Sequence, residues 1–264
     1  MSFIEFEQFS VDKKSAMGTP HSHDFYELYF LLDGKRTFFI NNKMFNVSSN
    51  TLIVVPPYSL HKTEGEAYSR ININVSPDLL TKSQNEFLQK ASEKIAVKIN
   101  PQHRSLIEQL LSEGANMQTT HLGSKNEALL TLTQAILVLL SMQKWTSLSA
   151  SANTLKEGEV SPDVLKIIDY VNSHYTEDVQ IKDICNEFYI SKASLCKKFK
   201  DVMNCSVMKY VLELRLNKAK SLLRDTNKSI EEISQESGFS SANYFGLTFK
   251  KSIGLSPLNF RKSR

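Results

Sequence analysis

Residues Ser229 to Arg261 read SIEEISQESGFSSANYFGLTFKKSIGLSPLNFR. Ile230, Ile233 and Ser234 follow helical spacing, and Ser229 stands as an N-cap with Glu232 in the position of a capping box. Gly238 breaks this helix and Phe239 plugs the turn. Ser241 opens a second helix with apolar positions at Tyr244, Phe245 and Phe249, followed by Lys250 and Lys251. Gly254 stops it, and Ser256-Pro257 starts a last short helix. A turn of this kind holds two helices at a fixed angle, so that the second can lie in a DNA major groove.

The same unit occurs earlier in degenerate form. Ile181-Lys-Asp-Ile184 matches Ile230-Glu-Glu-Ile233 at an offset of 49. After the turn the offset is 50, pairing Leu195 with Phe245, Phe199 with Phe249, Lys200 with Lys250, Ser206 with Ser256 and Tyr210 with Phe260. Two helix-turn-helix units therefore stand in tandem. Between them Val207, Tyr210, Val211, Leu214 and Ala219 give helical periodicity from Ser206 to Arg224. A helix of that length is a rod of roughly 28 Å, which suits two reading helices placed in successive major-groove segments about 34 Å apart.

From Ser161 to Arg264 the sequence resembles the AraC/XylS family of bacterial transcription regulators. The resemblance implies sequence-specific binding of double-stranded DNA by both units. It makes the reading helices Ser191 to Val202 and Ser241 to Lys251. On the first it assigns Lys192, Ala193, Ser194, Cys196, Lys197 and Lys200 to DNA; on the second, Ser241, Ala242, Asn243, Tyr244, Leu247, Lys250 and Lys251. Asn243 is the best base reader, because an Asn amide pairs bidentately with adenine. The sequence departs from the family at Gly246-Leu247, where a Ser-Arg pair is common. Further partners implied are a small-molecule effector, RNA polymerase and a second copy of the chain; an activator is the expectation carried forward, with repression left open.

Charge follows the motif. The chain has 32 Lys+Arg and 28 Asp+Glu, of which 17 and 12 fall from Ser161 onward, a net +5 there and −1 before it. The basic excess sits where phosphates need neutralising. Cys185, Cys196 and Cys205 all fall in the first helix-turn-helix without metal-ligand spacing. An odd count and an N-terminus lacking a basic or apolar leader pattern lead us to expect reduced thiols and a cytoplasmic protein. The most apolar stretch, Ala128 to Leu140, is too short to span a bilayer, so no membrane role is expected.

The first 76 residues or so read as strands: Phe25 to Leu32, Arg36 to Ile40, Phe45 to Val47, Thr51 to Val55 and Arg70 to Val75, with a hairpin turn at Asn41-Asn42-Lys43. Ile71, Ile73 and Val75 alternate with Arg70, Asn72 and Asn74. Short strands at this spacing suggest a small barrel or jelly roll. Within it His21, His23 and Glu27 fall at odd positions and would share a face of one extended strand, with Gly34 and later His61 following. This resembles the two signature motifs of cupins, whose metal ligands would map to His21, His23, Glu27 and His61. The second motif departs, with Asn50 and Tyr58 where glycines are usual. Three readings stay open: a ligand pocket without metal, which we favour; a divalent metal site; and a purely structural polar cluster. No cofactor is assigned. Tyr29, Arg36 and Arg70 join His21, His23, Glu27 and His61 as candidate ligand-binding residues, the two arginines suiting a carboxylate or phosphate.

After Pro77 the pattern turns helical: Leu79 to Ala91, Gln102 to Glu113 and Asn126 to Trp145, with a short strand at Ile95 to Ile99. The last helix is apolar over a broad face, at Leu129, Leu130, Leu132, Ile136, Leu137, Leu139 and Leu140. It must pack on the barrel or on the same helix of a second subunit, and the resemblance favours the latter. Thr146 to Ser161 has a linker composition. The expected architecture is α+β and multidomain: a cupin-like sensor over 1–100, a helical dimerisation segment over 101–145, a linker over 146–160 and an all-α double helix-turn-helix domain over 161–264. We expect a regulator rather than an enzyme; a metal-dependent cupin enzyme fused to a DNA-binding module is the alternative.

Overall fold

The structure is a computed structural model and describes residues 3–13, 15–16, 19–40, 43–94, 96–119, 124–143 and 162–262. The chain divides into two compact units. One comprises Ser2–Met17 and His23–Leu155; the other comprises Met1, Gly18–Ser22 and Lys156–Arg264. The expected linker and the turn residues Asn41 and Asn42 lie outside the described residues.

The first unit is an antiparallel sheet of seven strands: β1 (Ile4–Val11), β2 (Ser15–Ala16), β3 (Tyr26–Ile40), β4 (Lys43–Ser48), β5 (Thr51–Val55), β6 (His61–Val75) and β7 (Ala96–Lys98). The order is β1-β6-β3-β5-β7, with β2 on β6 and β4 on β3. The two strands expected at Phe25 to Leu32 and Arg36 to Ile40 are one continuous strand, β3, sharply bent. The Tyr29 and Phe38 rings lie 4.8 Å apart. A straight strand would separate those residues by about 30 Å. The bend falls where the pairing of β3 with β6 shifts register, between Leu31 and Asp33 and between Gly34 and Arg36. Gly34 has φ of 96°, and a Cβ there would lie 2.3 Å from the Ala67 carbonyl oxygen; one on Gly65 would lie 2.6 Å from that of Lys35. The two strands touch backbone to backbone, and only glycine allows it.

The first shift leaves one extra residue on β3 and the second one on β6, and each flips the side chains that follow on its own strand. Before the bend Tyr29 and Leu31 face inward, and after it Phe38 and Ile40 do, meeting Phe45, Val47, Ile53, Val55 and Tyr68 in an inner core. The other face carries Leu28, Phe30, Ile71, Ile73 and Val75 and is covered by helices. These are α1 (Lys82–Lys94), α2 (Pro101–Gln118) and α3 (Lys125–Ser141).

Here one expectation is corrected. Leu129, Ile136, Leu137 and Leu140 of α3 are buried against the chain's own sheet, with Leu130, Leu132 and Leu139 packed around them. The face assigned to a second subunit is thus satisfied within one chain, because the bent sheet exposes an apolar outer face that needs the same cover. Of the large apolar residues on α3, Val138 stays exposed.

The second unit is helical: α4 (Pro162–His174), α5 (Ile181–Glu187), α6 (Lys192–Met203), α7 (Val207–Asp225), α8 (Ile230–Glu236), α9 (Ala242–Ile253) and α10 (Pro257–Lys262). The repeat is visible in the backbone. Ser191 and Ser241 cap α6 and α9, each accepting a backbone N–H at 3.2 Å, and Ser206 and Ser256 do the same for α7 and α10. The Ser229–Glu232 capping box is present. Asn204 (φ 54°) ends α6 as Gly254 (φ 86°) ends α9, and Tyr189 (φ 49°) takes the left-handed turn position of Gly238 (φ 81°). The rod expected between the units is α7. Its first half meets one core, with the Tyr210 and Phe199 rings 5.6 Å apart. Its second half places Leu216, Ala219, Leu222 and Leu223 against Ile233, Phe239, Phe245 and Phe249.

Replacing Gly34 with alanine should destabilise the barrel unit by at least about 2 kcal/mol, from left-handed strain plus a backbone clash. Thermal melting should show the loss in that unit while the helical unit's transition stays in place; an unchanged barrel transition would contradict the account.

Candidate nucleic-acid interface and buried polar centre

Capping fixes where α6 and α9 start, and so which side chains their first turns present. On α6, Leu195 and Phe199 point into the core, which leaves Lys192, Ala193, Cys196, Lys197 and Lys200 exposed and Ser194 half-buried. On α9, Phe245 and Phe249 are buried, which leaves Ser241, Asn243, Tyr244, Leu247, Lys250 and Lys251 exposed and Ala242 half-buried. Two large apolar side chains on this face, Tyr244 and Leu247, are 52% and 66% exposed, an arrangement with no internal purpose. Lys198, by contrast, bonds Asp163 at 3.3 Å. Within the helical unit the two helix-turn-helix motifs are also held together at their turns. Arg215 of α7 donates to the Tyr175 and Glu177 carbonyls, both at 2.7 Å, and Gly238 packs so closely on Thr176 that a Cβ would lie 2.6 Å from its Cα. None of the three cysteines is in a disulfide; Cys196 is exposed, Cys185 half-buried and Cys205 buried.

In the barrel unit the polar constellation centres on Glu27, which is buried. His23 and Glu27 do not share a strand as the sequence suggested. The chain bends at Asp24 and Phe25, and β3 starts only at Tyr26. His23 is held instead by its backbone, whose carbonyl accepts from Tyr58 N at 2.6 Å, and by stacking of its ring on Phe25 at 3.9 Å. Tyr58 has φ of 62° and Asn50 of 67°, so the positions usually held by glycine keep the left-handed backbone with other side chains. His21 falls in the Gly18–Ser22 segment that groups with the other unit.

His23 and His61 are oriented alike. His23 Nδ1 lies 2.9 Å from the Phe25 carbonyl and His61 Nδ1 3.0 Å from that of Ser59. A carbonyl only accepts, so Nδ1 carries the proton and Nε2 is left facing Glu27. Both Nε2 atoms stand 3.2 Å from the same Glu27 oxygen. The other oxygen accepts from Asn72 Nδ2 and lies 3.7 Å from Arg70. Burial alone would raise the Glu27 carboxyl, but hydrogen bonds and charge from His23 and His61 outweigh it and hold it well below the usual carboxylate range. Chemically, His23, His61 and Glu27 fit a divalent transition metal, with Asn72 and Arg70 as outer partners of the carboxylate. Protonated imidazoles satisfy Glu27 equally well.

The bend in β3 and β6 is what collects the remaining candidates. Arg36 is buried, bonds Thr63 Oγ1 at 3.2 Å and covers the Tyr68 ring at 4.1 Å. Arg70 lies over the Tyr29 ring at 5.1 Å. Burial pushes the Tyr29 hydroxyl up and the Arg36 guanidinium down. Asn72 and Asn74 complete the group, and neither is among the candidates that the sequence supplies. Their alternation with Ile71, Ile73 and Val75 is the available signal, because a polar face opposite a buried apolar one has to be accounted for. The Asn72 and Asn74 side-chain oxygens are buried without a hydrogen-bond partner among the described residues.

A bent barrel with a buried polar centre, on the same chain as two capped helix-turn-helix units on one rod, is the architecture of a one-component transcription regulator. The chain belongs to the AraC/XylS family: residues 12–132 match the AraC-like ligand binding domain and residues 184–263 a helix-turn-helix domain. It is similar to the HTH-type transcriptional activator RhaR of Mannheimia succiniciproducens, at 25% identity over 91% of this chain and 86% of that one. The Msm operon regulatory protein of Streptococcus mutans is 26% identical over 92% of this chain and 86% of its own length. Among solved structures, ToxT of Vibrio cholerae aligns over 98% of this chain and 98% of that one at 14% identity, with a TM-score of 0.38. Among the described residues no helix is long and apolar enough to cross a membrane.

The depressed Glu27 carboxyl makes a signed prediction. A carboxyl held low in the folded state contributes stability that is present above its unfolded value of about 4.3 and is lost as pH falls through the folded value. The stability difference between the natural chain and Glu27→Gln should therefore shrink as pH falls below about 4. A difference independent of pH down to acid unfolding would show that the charge of Glu27 contributes nothing.

Proposed function

We propose that the chain is a cytoplasmic transcription activator that binds an operator as a homodimer, engages RNA polymerase there, and answers to a small molecule held in the barrel. The observation that carries the DNA half of this reading is the pair of core-facing and solvent-facing stripes on α6 and α9, with lysines on the exposed side. The names of the relatives as activators support the direction of control. The effector half rests on the polar centre at Glu27. Buried acceptors without a partner, such as those of Asn72 and Asn74, cost free energy until a ligand or water satisfies them. His23, Glu27, Tyr29, Arg36, His61 and Arg70 are the effector contacts in this reading. Control then requires that the effector bind two arrangements of the chain with different affinity. Leu106 of α2 and Val138 and Met142 at the end of α3 are exposed and support a second copy as partner.

Of the residues assigned to DNA, Ala193, Cys196, Ala242 and Leu247 can touch thymine methyls but cannot pair with guanine. The operator is accordingly A·T-rich and read partly by shape. Selection of bound sites from random DNA, with and without extract of the host cell, tests binding, site composition and effector dependence together. Sites dominated by G·C pairs, or binding indifferent to every extract, would count against the corresponding half.

Asn243→Ala should cost roughly 1–3 kcal/mol on the selected site and relax specificity at one position. Substituting Lys250 and Lys251 should instead weaken binding on all sequences and flatten the salt dependence. His23→Ala and Glu27→Ala should change regulation by the full chain while binding to DNA without effector stays as it was. Reporter expression that tracks the natural chain in both variants would remove the Glu27 centre from the effector site.

A further inference from the structure

Gly246 lies inside α9, and nothing in the chain calls for a glycine there. An added Cβ would meet no atom within 4 Å. At the other described glycines the reason is visible. Gly34, Gly65 and Gly238 touch backbone, Gly114 makes room for the Phe6 ring, and Gly254 is a left-handed cap. A glycine in a helix interior is destabilising relative to alanine, because it frees the unfolded chain.

Asn243, Gly246, Leu247 and Lys250 share one face of α9 by their spacing. The matching positions of α6 hold Ala193, Cys196, Lys197 and Lys200. Where the first reading helix carries a thiol and a lysine, the second carries no side chain and an aliphatic one. Its backbone can therefore approach a groove floor more closely, and the rim of the gap at Leu247 is apolar. The C5 methyl of thymine is the apolar group on the major-groove edge, and the adenine that an Asn amide reads is always paired with a thymine.

We propose that Gly246 is a clearance residue: it lets α9 close on a thymine methyl, flanked by Leu247, at or beside the A·T pair read by Asn243. This rests on α9 being a reading helix, as proposed above. Gly246 is then a specificity-determining position although it offers no group of its own.

The test uses the full chain and an operator obtained by selection, with Gly246→Ala and Asn243→Ala compared. Gly246→Ala should raise the melting temperature of the helical unit by about 2–8 °C. It should weaken binding to the selected site about 5- to 100-fold while leaving random DNA unaffected. Each thymine in the α9 half-site is then replaced in turn by deoxyuridine, which removes only the methyl. At one position the natural chain should lose affinity, and its advantage over Gly246→Ala should shrink to within about twofold. The proposal is overturned if Gly246→Ala binds the selected site as tightly as the natural chain, if it melts lower, or if its deficit persists at every deoxyuridine. Should Asn243→Ala also leave selective binding intact, the assignment of α9 as reader fails. Should Asn243→Ala lose it while Gly246→Ala keeps it, the clearance role alone falls.

Discussion

The barrel unit depends on one close approach, that of β3 to β6 at Gly34 and Gly65. An extended strand sends alternate residues to opposite faces, so a straight β3 could carry Glu27 and Tyr29 inward only by carrying Arg36, Phe38 and Ile40 outward. The paired irregularity reverses the alternation on both strands at the same level. It lets odd residues before the bend and even residues after it meet in one interior, and on β6 it brings His61 and Thr63 to the side of Arg70, Asn72 and Asn74. The same bend folds the sheet over its inner core and turns the opposite face outward, where α2 and α3 must cover it. The polar centre and the helical cover are thus two results of one backbone contact.

The helical unit solves a different problem, the placing of two similar motifs on one chain. Its left-handed positions are occupied by glycine in the second motif and by Tyr189 and Asn204 in the first. Asparagine tolerates that conformation through its short polar side chain; a tyrosine there carries strain. The backbone geometry is kept where the residue best suited to it is not, because caps, core aromatics and the shared helix α7 determine the turn from both sides.

The extent to which this was legible in the sequence follows from the range of the interactions. The helix-turn-helix units could be read nearly residue by residue, since caps, turn glycines and the apolar positions Leu195, Phe199, Phe245 and Phe249 act within a few residues of one another. The repeat supplied a second copy against which to check each position. The sheet was legible as strands but not as a bend, because Gly34 says that something comes close without saying what; the partner, Ala67, is 33 residues away. For the same reason strand alternation put His21, His23 and Glu27 on one face, when the chain in fact turns before β3 and Tyr58 holds the His23 loop. Asn72 and Asn74 were visible as a polar face, yet their burial depends on the rest of the sheet. The apolar face of α3 needs a partner by its sequence alone, but hydrophobicity names no address, and the nearest one is the chain's own sheet.

Since α7 contributes half its length to each of two cores, neither motif can melt without stripping the other of part of its packing. The two motifs are therefore a single cooperative block in which damage to one interior is felt in both. Variation is confined by this to the outward positions, and those are where the halves differ most: lysine against leucine, thiol against bare backbone, alanine against asparagine. A duplicated motif joined in this manner is free to acquire two different vocabularies while remaining unable to lose either grammar.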